Sequence, residues 1–167
     1  MYSIGDTVLY GGEGLCKVIG IEDKKIADKV IKYYALTPLD GKSSVFYVPT
    51  EGKVAETKLR QIISGKEIKD IVKNTVASEF VENDRARREI YSNAINSADR
   101  SAIVGFIKSC EIRENELLEY GKRLHKVDEY FIMDAEKFLY GEFKTVFKIE
   151  REQVIPFVLG KFEPEEL

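Results

Sequence analysis

The sequence predicts an α+β fold in which a small antiparallel β-domain, residues 1–52, precedes an all-helical domain, residues 53–167. Three observations carry this expectation. Up to about residue 50, β-branched and aromatic residues alternate in short runs broken by glycines. From Glu56 onward the apolar residues recur instead at helical spacing. The length, 167 residues, exceeds one minimal domain and is short for two large ones, which suits a small unit followed by a bigger one.

In the first part, Ile4, Val8 and Tyr10 are spaced for one strand, which Gly11, Gly12 and Gly14 then end. Leu15 to Ile21 resumes with β-branched residues, and Val30 to Leu36 supplies a third strand. Asp40-Gly41 predicts a type I′ hairpin, because both residues tolerate positive φ, with Ser44 to Val48 as the return strand. Five short strands within about 50 residues suggest a barrel-like SH3 or Tudor-type unit, an arrangement that limits exposed edges.

In the second part, Leu59, Ile62 and Ile63, then Ile68, Ile71 and Val72, predict two short helices separated by Gly65. Asn83 or Asp84 caps a helix through about Ile95, since a short polar side chain accepts the unpaired amides of a first turn. Ser97 or Asp99 opens the next helix, with Ile103, Phe106, Ile107 and Cys110 on one face. A further helix runs from about Val127 to Phe147, with Phe131, Ala135, Phe138 and Leu139 inward. The last covers about Glu150 to Lys161, bent or started late by Pro156. Glu163, Glu165 and Glu166 predict a frayed, solvated tail.

Composition excludes several classes. An apolar fraction of 44% with 33% charged residues describes a soluble globular chain. The longest apolar stretches, such as Gln153 to Leu159, fall short of the roughly 20 residues that cross a bilayer. No basic-then-apolar leader follows Met1, so a cytoplasmic location without membrane contact is expected. Cys16 and Cys110 fall in different predicted domains and read as buried reduced thiols rather than a disulfide or zinc site. A net charge of −3 offers no overall attraction to nucleic acid, so any DNA contact needs a local patch.

Catalytic signals are lacking. His125, the single histidine, has no Cys, His or Asp at ligand spacing and reads as a surface or cap residue. Gly11-Gly12-Glu13-Gly14 precedes a strand rather than the helix that a phosphate loop needs, and reads as a turn. Glu114, Glu116 and Glu119 read as a solvated helical face. No enzymatic activity, cofactor or metal is therefore expected. The local basic feature is Arg85, Arg87 and Arg88, with Arg100 at the next helix start; guanidinium forks and helix N-terminal amides suit phosphate contacts. Glu79, Glu82, Asp84 and Glu89 partly offset that charge.

These residues together resemble the CarD/CdnL family of bacterial RNA-polymerase-binding regulators. The likeness lies in Ile4-Gly5-Asp6-Thr7-Val8-Leu9-Tyr10, the turn glycine Gly14, the strand Tyr33-Tyr34-Ala35-Leu36 and the closing Val48-Pro49. It continues in Arg87 and Arg88 followed by Ala98-Asp99, similar to the family's Gly-Asp at a helix start. The resemblance implies that the β-domain, shared with transcription-repair coupling factors, adds a strand to the RNA polymerase β subunit. The matching edge is Glu22 to Ile26, with Glu22, Lys24, Ile26 and Tyr47 as contact residues. Where family members carry arginines, this sequence aligns Lys24 and Tyr47.

The resemblance further implies that the helical domain approaches promoter DNA at the upstream edge of the melted region, here through Arg85, Arg87, Arg88 and Arg100. Many members insert a tryptophan wedge there; this chain has no Trp, and Asp84 aligns with that position. Weaker or absent stabilisation of open complexes is the expectation. Two other readings stay open: an adaptor whose helical domain holds a protein instead of DNA, and a Tudor-like peptide reader using Tyr10, Tyr33, Tyr34, Phe46 and Tyr47 as an aromatic cage.

Overall fold

The computed structural model describes residues 1–167, except for the surroundings of Gly12. The chain divides into two compact units: Met1–Ile62 with Asn96–Ala98, and Ile63–Ile95 with Asp99–Leu167. It is α+β, with an antiparallel sheet in the first unit and helices in the second.

The first unit is a five-stranded sheet in the order β4-β3-β2-β1-β5. Its strands are β1 (Thr7–Tyr10), β2 (Gly14–Ile26), β3 (Lys29–Pro38), β4 (Phe46–Pro49) and β5 (Leu59–Gln61), with helix α1 (Lys53–Lys58) between the last two. Alternation along the strands sends Val8, Cys16, Val18, Tyr34, Leu36, Val48 and Leu59 into one apolar core. Burying each side chain of this size contributes about 1.5–3 kcal/mol.

Several sequence expectations need correction here. Ile4 lies outside β1 and is exposed, because the chain turns through Gly5 at φ +98°. Asp40-Gly41 is not a type I′ hairpin: only Gly41 has positive φ, and the return strand begins at Phe46, so a seven-residue connection from Leu39 to Val45 replaces the tight turn. The tight turn is at Ala27-Asp28, between the paired residues Ile26 and Lys29, with Ala27 at φ +52°. Leu59 belongs to a strand rather than a helix, because pairing with Tyr10 gives that backbone a partner that the spacing could not reveal. The glycine turn after β1 is a 3-10 helix, Gly11–Glu13, that leads into a strand; the surroundings of Gly12 lie outside the described residues.

The second unit contains α2 (Gly65–Asn74), α3 (Asp84–Asn96), α4 (Arg100–Glu119), α5 (Lys126–Phe143) and α6 (Val154–Val158), with the short strands β6 (Phe147–Lys148) and β7 (Glu165–Glu166). Gly65 is the first residue of α2 rather than a separator. Ser64 and Glu67 form a reciprocal capping box around it, which satisfies two amides of the first turn. Asn83 caps α3 by accepting the Ala86 N–H, and Asp99 caps α4 by accepting that of Ala102. Ile103, Phe106, Ile107 and Cys110 of α4, and Phe131, Ala135, Phe138 and Leu139 of α5, are buried as their spacing requires. Helix α5 stops at Phe143, earlier than expected, and Phe147 enters β6.

The acidic end is no frayed tail. Glu165–Glu166 pairs with Phe147–Lys148, Leu167 N–H donates to the Val146 carbonyl, and Lys69 faces both Glu163 and Glu166. Among the described residues no helix is long and apolar enough to cross a membrane.

Candidate functional site

In the first unit, the hairpin of β2 and β3 outruns its neighbours. Residues Thr7–Tyr10 of β1 cover β2 only from Gly14 to Lys17, whereas β3 pairs with it as far as Ile26. Among the described residues no second strand pairs with Ile19–Ile26, so alternate backbone groups there point away from β3 unpaired.

The register opposes Glu22 to Tyr33, Lys24 to Ile31 and Ala35 to Tyr47, which puts Glu22, Lys24, Ile26, Tyr33 and Tyr47 on one face. All four residues expected from the edge are thus brought together. The ammonium of Lys24 lies 2.9 Å from the centroid of the Tyr47 ring and 5.9 Å from that of Tyr33. Such a cation over a ring face is attracted by the ring quadrupole, which offsets part of the entropy lost in fixing a long side chain. Tyr47 remains 44% exposed. A partner strand here meets backbone donors and acceptors, a poised cation, a carboxylate at Glu22 and a half-open aromatic.

In the second unit, the arginine cluster divides. Side chains meet in ascending order along α3 and α5: Asp84 with His125, Arg87 with Asp128, Tyr91 with Phe131 and Asp134. The two helices therefore run parallel, and their N-terminal ends lie side by side. Arg87, on the inner stripe with Tyr91 and Ala94, is 5% exposed. Its Nε and Nη2 donate to the two Asp128 oxygens at 2.8 and 2.7 Å, Nη2 also donates to Asp84 at 2.7 Å, and Nη1 donates to the carbonyls of Val81 and Glu82 at 2.8 and 3.1 Å. A guanidinium has five N–H groups, and all are engaged. The plane also lies over Phe80, 4.7 Å from its centroid.

Arg100 likewise faces inward. Its Nε and Nη2 meet the two oxygens of the fully buried Glu142 at 2.7 and 2.6 Å. Arg87 and Arg100 thus brace the unit from inside, whereas Arg85 and Arg88 are exposed. Asp84, at the aligned wedge position, is tied down as well. The Arg87 hydrogen bond, assisted by His125, holds its carboxyl below the usual carboxylate range.

The sequence reading missed a second basic group. Lys122, Arg123 and Lys126 are exposed in and just after the loop between α4 and α5. The 3.3 Å contact of His125 Nδ1 with Asp84 Oδ2 brings that loop to the start of α3. Lys122, Arg123 and His125 line the same cavity of about 250 Å³ as Asp84 and Arg87. The run Gly121-Lys122-Arg123-Leu124-His125-Lys126 was visible as a charge signal, but its distance in sequence from Asp84 concealed their adjacency.

Elsewhere the chemistry is quiet. Burial pushes the Cys16 thiol up to about 11 and the Cys110 thiol to about 12, so both are poor nucleophiles. Among the described residues no group of three or more His, Cys, Asp or Glu side chains is arranged to hold a metal ion.

No curated protein matches the chain. Residues 2–63, which span the five-stranded sheet and its unpaired β2 edge, match the CarD-like/TRCF RID domain, a non-enzymatic interaction domain known to bind the RNA polymerase β subunit.

Proposed function

We propose that this protein is a CarD-like transcription regulator that docks on the RNA polymerase β subunit through the free edge of β2 and modulates initiation. The observation that carries the reading is the one-sided pairing of Ile19–Ile26 inside the matched region, flanked by Lys24 and Tyr47 on one face. An added strand supplies backbone hydrogen bonds, and Glu22, Lys24, Ile26 and Tyr47 select the partner. The helical unit then meets promoter DNA through Arg85 and Arg88, joined by Lys122, Arg123 and Lys126. Arg87 and Arg100 act behind them as braces. With Asp84 in place of an aromatic wedge, the contact is with phosphates, and polymerase docking supplies the local concentration that makes it count.

A direct test is titration of the full chain against purified polymerase β subunit. Lys24→Glu combined with Tyr47→Ala should weaken binding by about 2 kcal/mol or more, since truncating an interfacial aromatic anchor costs this much. Equal affinity in the double variant removes this surface from the mechanism. A second reading, an adaptor whose helical unit holds another protein, is favoured by the engagement of Arg87 and Arg100 inside the unit, which leaves two of the four expected arginines facing outward.

A further inference from the structure

We infer that the helical unit carries a second docking groove, built to take an acidic amphipathic helix of another protein. This inference does not rest on the polymerase-docking reading. The groove, a cavity of about 890 Å³, lies between the C-terminal end of α2, the segment Thr75–Ala77 that follows it, the middle of α4 and the segment 157–163.

The wall made by Thr75–Ala77 is pinned. The Lys108 ammonium donates to the carbonyls of Val72 and Thr75, both at 2.6 Å, closing the end of α2. Ser78 N–H donates to the Gly105 carbonyl at 3.1 Å. A Cβ on Gly105 would sit 3.2 Å from the Val76 carbonyl oxygen, so the glycine lets the segment cross α4 at close range. A fixed wall of this kind holds Val76 80% exposed, and Ile112 of α4 is 52% exposed. Behind them Val72, Phe157 and Val158 are buried and form an apolar floor.

The rim decides the sign of the occupant. Four lysines, at 69, 73, 108 and 161, line the groove against Glu111 and Glu163; Lys161 is paired with Glu111 and Lys108 is turned to the wall carbonyls, so Lys69 and Lys73 are the cations a ligand can reach. This positive rim belongs to a chain of net charge −3, so it is a local feature. Lys73 is exposed and has no ion-pair partner among the described residues, and Lys69 meets the exposed Glu163 and Glu166 at 3.6 and 3.8 Å, solvent-screened contacts that a ligand carboxylate can replace. The engaged backbone of the wall offers little for strand addition. An occupant that satisfies its own backbone, a helix, fits the apolar floor with one stripe and the lysines with flanking carboxylates.

The probe is a synthetic helix-forming peptide with leucines at i, i+3, i+4 and i+7 and glutamates flanking that stripe; its partner has lysines in place of the glutamates. Amide shifts of the full-length, isotope-labelled chain are followed by NMR. The expected result is saturable shifts at Lys73, Val76, Ile112 and Gly160 with the glutamate peptide, at least tenfold weaker binding of the lysine peptide, and at least tenfold loss on Lys73→Glu with Ile112→Glu. Val76→Glu, at a position 80% exposed, should give a similar loss without altering the fold. Equal binding of both peptides, shifts outside the groove, or no shifts overturns the inference. Saturation by decanoate but not by the peptide also overturns it, in favour of a small amphiphile site. Polymerase β binding measured on the same variants should be unchanged, so failure of the groove and failure of the polymerase reading are separable.

Discussion

Around Tyr34, Leu36 and Val48 the β-unit is closed by apolar side chains and ladder hydrogen bonds, and among the described residues it buries no ionised group. The helical unit instead buries Arg87, Asp128 and Glu142 and fastens α3 to α5 and α4 to α5 through them. The difference concerns failure modes. An apolar core tolerates exchange of one hydrophobic residue for another of similar volume. A buried ion pair is worth little against an apolar substitute, yet removing one member strands the other in a poor solvent.

The largest effect should follow from Arg87→Ala, which leaves the buried Asp128 uncompensated; we expect about 3–5 kcal/mol of lost stability in urea unfolding followed by helical ellipticity. Arg87→Met combined with Asp128→Leu should recover most of that. In the β-unit, Leu36→Met should cost less than about 1.5 kcal/mol. A single-residue loss at Arg87 no larger than that of Leu36→Met would erase the contrast between the units.

A smaller effect separates neighbours on one helix. Arg85→Ala with Arg88→Ala should leave the fold intact and flatten the salt dependence of promoter-complex binding, by about 1 in the log–log slope for each phosphate contact removed. An unchanged slope at unchanged affinity would favour the adaptor reading.

The smallest effect is acid sensitivity. Asp84, and Glu67 bonded to Ser64, have folded carboxyls below their ordinary range. A carboxyl depressed on folding contributes stability fully above its unfolded value, and that contribution disappears as pH falls through the folded one. The helical unit should therefore weaken below about pH 4, near the ordinary carboxylate values. Asp84→Asn should shallow that limb in an acid titration read by ellipticity.

Much of this was legible in local chemistry. Asn83 or Asp84, and Ser97 or Asp99, announced helix starts because a short acceptor stands before a periodic run, the structure selecting Asn83 and Asp99, and the inner faces of α4 and α5 followed from spacing alone. What failed required a partner distant in sequence. Leu59 reads as helical until Tyr10 pairs with it, and Glu165–Glu166 reads as a tail until Phe147–Lys148 does. The Ala27-Asp28 turn lacks glycine and asparagine, so it gave no signal, whereas Asp40-Gly41 gave a strong one and closes a longer connection. Arg85, Arg87 and Arg88 look alike in sequence. The inner stripe of α3 takes Arg87, and its buried counter-charge, Asp128, lies 41 residues away.

The one-sided ladder of β2 also writes a pattern in time. From Ile19 to Ile26, amides bonded to β3 should exchange their hydrogens slowly, while alternate ones, facing water, exchange fast. The result is an odd–even comb along a single strand. Any chain that docks by adding a strand would fill in the fast teeth it covers and leave the slow ones as they were, so the stretch of β2 that a partner occupies can be read from the protein's own backbone amides.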